Sequence, residues 1–119
     1  MVPPELRQQI DTDILARPEV TPRNMMGTTA YMVRGRMFAF WVADGLVAKL
    51  SDRTRQEFID HKLGALFQGP QGRGFGEWIT LHVDKKEDLE SALAGAKSAY
   101  EYVRGAAGTK QKAKRRSKK

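Results

Sequence analysis

The chain has 119 residues, with 21 Lys and Arg, 14 Asp and Glu, and no Cys. This length fits one domain of ordinary size, and the lack of Cys excludes disulfides, thiolate nucleophiles and thiolate metal sites. No stretch approaches the about 20 apolar residues of a membrane span, and the N-terminus lacks the regions of a secretory signal. We therefore expect a cytoplasmic protein with no membrane partner.

The formal net charge of +7 lies entirely in the last part of the chain. Residues 109–119 contain seven Lys and Arg and no acidic residue, and subtracting these seven from 21 leaves 14 basic against 14 acidic residues over 1–108. The sequence predicts a single neutral domain over 1–108 and a basic tail over 109–119. We expect the free tail to be disordered, because it has too few apolar residues to bury.

The first predicted element is a helix that starts at the Pro-Pro-Glu sequence of residues 3–5, which suits a first helical turn. Pro18 ends it, and Pro22 keeps the next segment from being helical. Its apolar residues recur every four positions and predict one buried stripe: Leu6, Ile10 and Ile14.

Alternation with a period of two then predicts three antiparallel strands, over residues 29–33, 36–42 and 46–50. Arg34-Gly35 is the first connecting turn. Asp44-Gly45 is predicted to form a type I′ turn, which needs positive φ at both central residues and favours Asp-Gly.

The middle strand is apolar on both faces, which is typical of a central strand with a helix over one side. Strict alternation places Phe38 and Phe40 on one face, and Ala39 and Trp41 on the other.

The second half of the chain predicts two helices and two strands. Ser51 can cap a helix over 52–63 that ends at Gly64, and strands follow over 65–67 and 77–83, joined by a Gly-rich connection. An apolar stripe over 89–103 predicts a last helix, broken at Gly105 and Gly108. The fold class is therefore α+β, a two-layer α-β(3)-α-β(2)-α arrangement with an antiparallel sheet.

Three short motifs carry a family resemblance: Met26-Gly27, Arg34-Gly35-Arg36-Met37-Phe38-Ala39, and Asp44-Gly45-Leu46-Val47-Ala48-Lys49. They resemble the N-terminal domain of the TfoX/Sxy family and the related MmcQ/YjbR group, over residues 20–104. The resemblance implies this α+β fold and regulatory, DNA-binding or competence-related work. Longer competence regulators of that family carry a second helical domain, where this chain has its basic tail.

Ten basic residues are the candidate nucleic-acid contacts. The tail can neutralise phosphates, with a salt slope of at most roughly −6 on duplex DNA, but it supplies no sequence information. A solubilising tail is the alternative, and ordinary turn solvation is the alternative for the arginines of the turns. The candidates are Lys110, Lys112, Lys114, Arg115, Arg116, Lys118 and Lys119 in the tail, and Arg34, Arg36 and Arg73 in the turns.

Aromatic residues can stack on bases, but their alternation on apolar strands favours core packing. Trp78 shares its predicted face with Thr80 and His82, so we expect it to be partly exposed, as we do Phe75 in the Gly-rich connection. That connection leads into a strand, whereas a phosphate-binding P-loop leads into a helix.

The sequence offers no catalytic, cofactor or metal site. The two His residues lie on different elements without metal-ligand spacing, and the Ser residues lie in caps or helices rather than in a nucleophile elbow. We expect a non-enzymatic protein whose partner is nucleic acid. The alternative is a protein-interaction or chaperone-like module, working as a homodimer through an exposed sheet face or edge.

Overall fold

The computed structural model describes residues 2–25, 27–68 and 74–113, and there it has three helices on a six-stranded antiparallel sheet. The predicted α+β class is confirmed, with the chain order α1, four strands, α2, two strands, α3. The helices are α1 (Pro4–Leu15), α2 (Asp52–Asp60) and α3 (Leu89–Ala113). The strands are β1 (Val20–Met25), β2 (Thr28–Val33), β3 (Arg36–Val42), β4 (Gly45–Lys49), β5 (Gly64–Gln68) and β6 (Gly74–His82), in the spatial order β1-β2-β3-β4-β6-β5.

The prediction of three strands before α2 is wrong, because there are four. The strand that was not predicted is β1, which pairs along its whole length with β2. Most of β1 is exposed, so its sequence shows no apolar alternation. It also contains Pro22, which cannot donate a ladder hydrogen bond. Proline is tolerated on an edge strand, and β1 forms one edge of the sheet.

All three helices pack on the same face of the sheet. The core joins α1 and α3 to Tyr31 and Trp41 of the central strands. Phe58 of α2 packs against the same core, and a Cβ built on Gly95 of α3 would lie 3.2 Å from its ring. The predicted stripe of α1 is confirmed by the burial of Leu6, Ile10 and Ile14.

A β-bulge in β3 changes which side chains face the helices. Tyr31 pairs with Ala39 but Met32 pairs with Met37, so Phe38 is an extra residue in β3. Phe38 is fully buried on the helix side, with its ring 5.8 Å from that of Tyr100 on α3. The predicted shared face of Phe38 and Phe40 is therefore wrong, since a bulge interrupts the alternation.

Positive φ values occur in the turn of the first hairpin, whereas they were predicted for the turn of the second. Arg34 and Gly35 have φ values of 54° and 79°, the positive pair that a type I′ turn requires. In the second hairpin Val42 pairs with Gly45, so Gly45 begins β4 and the turn residues are Ala43 and Asp44. The predicted type I′ turn at Asp44-Gly45 is wrong: φ is not positive there, and Gly45 is needed because a Cβ would collide with the Leu81 carbonyl.

Helix α2 begins as predicted, with the Ser51 hydroxyl accepting a hydrogen bond from the Thr54 amide. Its end is earlier than predicted. Lys62 takes the left-handed conformation with φ of 59°, and the amide of Leu63 donates to the Phe58 carbonyl. This is a Schellman motif with a lysine in place of the usual glycine, and Gly64 instead starts β5, where a Cβ would press on the Thr80 carbonyl.

Helix α3 does not end at Gly105 or Gly108, because its backbone stays helical to Ala113. A glycine inside a helix costs only about 0.5–1 kcal/mol relative to alanine, which does not by itself stop a helix. The division between a domain over 1–108 and a tail over 109–119 stays a prediction. Across the described ranges, no helix is long and apolar enough to cross a bilayer.

A chain of hydrogen bonds fastens α1 to the sheet. The Trp41 indole donates to the Tyr31 hydroxyl at 2.7 Å, and that hydroxyl donates to the Asp11 carboxylate at 2.6 Å. Burial, together with Asp11, raises the pKa of the Tyr31 hydroxyl. Since Trp41 is only 1% exposed, its indole N–H has no access to water as a substitute partner.

We expect Tyr31→Phe to destabilise the protein by about 1–3 kcal/mol, because it leaves a buried indole N–H without its acceptor. Urea unfolding followed by circular dichroism measures the change. Tyr102→Phe is the matched control: its hydroxyl reaches Glu77 at 3.4 Å in an exposed contact, and we expect a change within about 0.5 kcal/mol. Equal losses in both variants would contradict the role of the Trp41–Tyr31–Asp11 chain.

Candidate functional site

The strand and helix directions bring several basic residues to one end of the molecule. Helix α3 starts near the β3–β4 turn and runs towards the β2–β3 turn, where the Tyr100 hydroxyl donates to the Pro18 carbonyl. Helix α1 ends there too, because the α1–β1 connection leads to Val20, the partner of Val33. We call the group formed by Glu19, Arg34, Arg36 and Arg104 the basic end.

Two arginines of the basic end share a single carboxylate. The Arg34 Nε lies 3.2 Å from Glu19 Oε1, and the Arg104 Nε lies 3.0 Å from the same oxygen. Glu19 and Arg34 both have positive φ, at 68° and 54°. The strained turn at Arg34 thus places its guanidinium beside the last part of α3 whose side chains are described.

Two positive guanidiniums share one negative carboxylate in this cluster, and this shifts the pKa values of Glu19 and Arg104. The hydrogen bond from Arg104 is the largest cause of a lowered pKa at Glu19, with further lowering from Arg34. Glu19 in turn raises the pKa of Arg104. All three side chains are roughly 40% exposed, and ion pairs in solvent contribute little to stability. The guanidiniums are therefore available to another anion, such as a phosphate, at small cost.

Arg36 supplies further positive charge at the same end. It is exposed at the start of β3, opposite Val33, and within the described part of the chain it has no ion pair. Arg23 of β1, by contrast, pairs with Ala30 of β2. It lies on the face of the sheet that turns away from the helices. The structure thus brings Arg34 and Arg36 together and separates Arg23 from them.

The tail candidates divide at the limit of the described residues. Lys110 and Lys112 lie on the helical backbone of α3, which continues beyond Arg104 of the basic end. Lys114, Arg115, Arg116, Lys118 and Lys119 lie outside the described residues, and so does Arg73 of the Gly-rich connection.

Sequence reasoning missed Arg17 and Arg104. The guanidiniums of both lie over the Tyr100 ring, at 5.7 and 5.9 Å from its centroid. Arg17 is also paired with Asp13 at 2.9 Å. Arg104 follows Tyr100 by four residues, the helical spacing at which side chains meet, and this spacing was the available signal.

The aromatic candidates also separate. Phe38 and Trp41 are core residues on the helix side, as core packing predicted. Phe40 and Trp78 are only partly buried, on the opposite face. The predicted partial exposure of Trp78 is confirmed, whereas the side chain of Phe75 lies outside those described.

The described ranges contain no group of three or more His, Asp or Glu side chains placed to hold a metal ion. His61 lies at the end of α2, with its Nδ1 2.9 Å from the Glu57 carbonyl oxygen. His82 lies at the end of β6.

Comparison with protein families matches residues 13–103 to the TfoX N-terminal domain. The matched region runs from the end of α1 to Val103 and includes the whole sheet. It stops just before Arg104, so the extension of α3 lies outside it. A comparison with curated proteins found no match.

We expect the Glu19 carboxyl to titrate below its ordinary pKa of 4.5, as measured by carbon-detected NMR. Arg104→Gln and Arg34→Gln should each raise this pKa, because the Arg104 hydrogen bond is its largest cause and Arg34 lowers it further. The stability that the pairs contribute is present above the unfolded-state pKa and lost as pH falls through the lowered folded-state pKa. A Glu19 pKa that neither substitution moves would contradict this cluster.

Proposed function

The chain belongs to the TfoX N-terminal domain family, and we propose that it is a non-enzymatic regulatory protein that binds nucleic acid by phosphate contacts. The basic tail supplies most of the affinity, and the basic end of the body adds Arg34 and Arg36. One observation carries the proposal: α3 leads the chain towards its tail from the same end at which these arginines lie.

The charge distribution supports an electrostatic mode of binding. Over residues 1–108 acidic and basic residues are equal in number, so binding depends on where the charges lie. At the basic end the Arg34 and Arg104 guanidiniums share the Glu19 carboxylate, Arg36 adds a third cation, and the tail adds seven more. Phosphate contacts of this kind release counterions and position the protein without reading sequence.

We expect a full-length variant with the seven tail Lys and Arg changed to Gln to lose most of its affinity for a duplex oligonucleotide. The slope of log K against log salt should become shallower by up to about 6, as measured by fluorescence anisotropy across a salt series. An unchanged slope would contradict the role of the tail.

The contribution of the body is tested by Arg34→Gln combined with Arg36→Gln. We expect this variant to lower duplex affinity and to make the slope shallower by at most about 2. Lys85→Gln combined with Lys86→Gln is the matched control, because these exposed lysines lie at the opposite end, before α3. Equal effects of the two pairs would show that only total charge matters.

Glu19→Gln should strengthen duplex binding severalfold, since it frees Arg34 and Arg104 from their shared carboxylate. The salt slope should become steeper by about one unit for each added phosphate contact. Glu90→Gln, an exposed carboxylate in the first turn of α3, changes the net charge equally. The same gain in both variants would contradict a local role for Glu19.

The second candidate is a protein-interaction module, and one observation favours it. Leu66 is 55% exposed on β5, which forms an edge of the sheet and carries no charged residue. Exposed apolar edge strands are sites where another chain can add. Light scattering tests this alternative: a concentration-dependent dimer that Leu66→Lys dissociates would support it.

A further inference from the structure

The face of the sheet that turns away from the helices has its own aromatic cluster. The Phe40 ring lies 5.5 Å from Phe67 and 5.6 Å from Trp78. Phe40 belongs to β3, and the other two rings to β5 and β6, so the cluster must cross β4. Val47 of β4 is fully buried although it is no part of the helix-side core. The three rings therefore form a platform over Val47, while each stays partly exposed.

The charged strand residues that lie on the same face as this platform are both cationic. Cross-strand register places Arg23 in line with Ala30 and Phe40, and Lys49 in line with Trp78. Arg23 is exposed and has no ion pair within the described residues, and the Lys49 Nζ lies 5.9 Å from the centre of the Trp78 ring.

The nearby carboxylate of Glu77 belongs to the other side of β6. It pairs with Lys49 at 3.4 Å and accepts a hydrogen bond from Tyr102 of α3. Among the described strand residues that face away from the helices, the charged side chains are thus Arg23 and Lys49.

A cavity of about 490 Å³ adjoins the platform. Phe67 lines one side of it, and Asp44, Thr80 and His82 contribute polar groups. This volume lies in the range of about 300–1,000 Å³ that small-molecule sites occupy. A carboxylate, a hydroxyl and an imidazole beside an aromatic ring can hydrogen-bond the edge of a planar heterocycle that stacks on that ring.

We propose that this open face binds single-stranded nucleic acid. The bases stack on Phe40, Phe67 and Trp78, the phosphates contact Arg23 and Lys49, and one base enters the cavity. This inference rests on the proposed nucleic-acid function and specifies its substrate as a single strand. A duplex keeps its bases stacked inside, whereas sheet faces with exposed aromatics bind splayed bases.

The same charges disfavour a second copy of the chain as the occupant. In a two-fold symmetric dimer each patch meets its own copy. Burying this face against itself would bring the Arg23 and Lys49 side chains of two copies into one interface, where no described strand residue of this face is acidic. A polyanion with planar apolar groups fits both features of the face.

The test compares a fluorescein-labelled twelve-nucleotide oligo-dT with a duplex of the same length, using the full chain. We expect Trp78→Leu and Phe67→Leu each to weaken oligo-dT binding at least about fivefold, the loss of one stacked base, and to leave duplex binding unchanged. Tyr102→Leu, which removes a partly buried ring on the helix side, is the control. Arg23→Gln should make the single-strand salt slope shallower by about 0.7.

Tryptophan fluorescence gives a second readout that does not depend on the leucine variants being folded. Of the two tryptophans, Trp41 is buried on the helix side and Trp78 lies on the platform. Unlabelled oligo-dT should quench the wild-type emission. In Trp78→Phe, which retains an aromatic ring, binding should persist while the quenching disappears.

The outcomes separate this inference from the proposed function. If oligo-dT binds with a tail-dependent salt slope but the platform variants bind as well as wild type, the open-face site is wrong and the electrostatic function stands. If neither oligonucleotide binds, both are wrong. A dimer that Trp78→Leu dissociates would also overturn the open-face site, because it would identify the face as a protein interface.

Discussion

The packing of all three helices on one face of the sheet is the constraint on which the rest of the structure depends. It directs Tyr31, Trp41 and the bulged Phe38 into a single core. It also leaves the other face without a helix among the described residues, and the sheet has to bury its own central strand there. Phe40, Phe67 and Trp78 do this over Val47, so a packing requirement creates a partly exposed aromatic surface.

The same arrangement explains why the basic end exists. In a one-sided fold with this strand order, α1 and α3 both finish beside the β2–β3 turn. The connection from α1 then presents Glu19, the turn presents Arg34, and α3 presents Arg104. Three segments distant in sequence meet because helix direction is set by the strands that precede and follow each helix. The charge cluster is thus a consequence of topology.

The sequence predicted the class of fold and most elements, because Leu6, Ile10 and Ile14 and the alternating strands have strong periodicity. It could not predict the bulge at Phe38, since an inserted residue changes pairing without changing composition. It assigned Gly45 to turn conformation, whereas close approach to Leu81 is what requires glycine there. Among the site residues, Arg34 and Arg36 were found from their turn, but the contact of Arg104 with Glu19 could not be predicted, because the two residues lie 85 positions apart.

The basic tail and the aromatic platform would select ligands by different interactions, the tail by charge and the platform by stacking. Beyond Arg104 the backbone of α3 continues helically for nine residues to Ala113, which is about 13 Å at 1.5 Å per residue. The backbone of the first two tail lysines, Lys110 and Lys112, lies on this extension, and salt screens contacts that depend on charge alone. Stacking on the platform needs unpaired bases and depends little on salt. A protein with both would be held near nucleic acid by charge and would select single strands by its aromatic face.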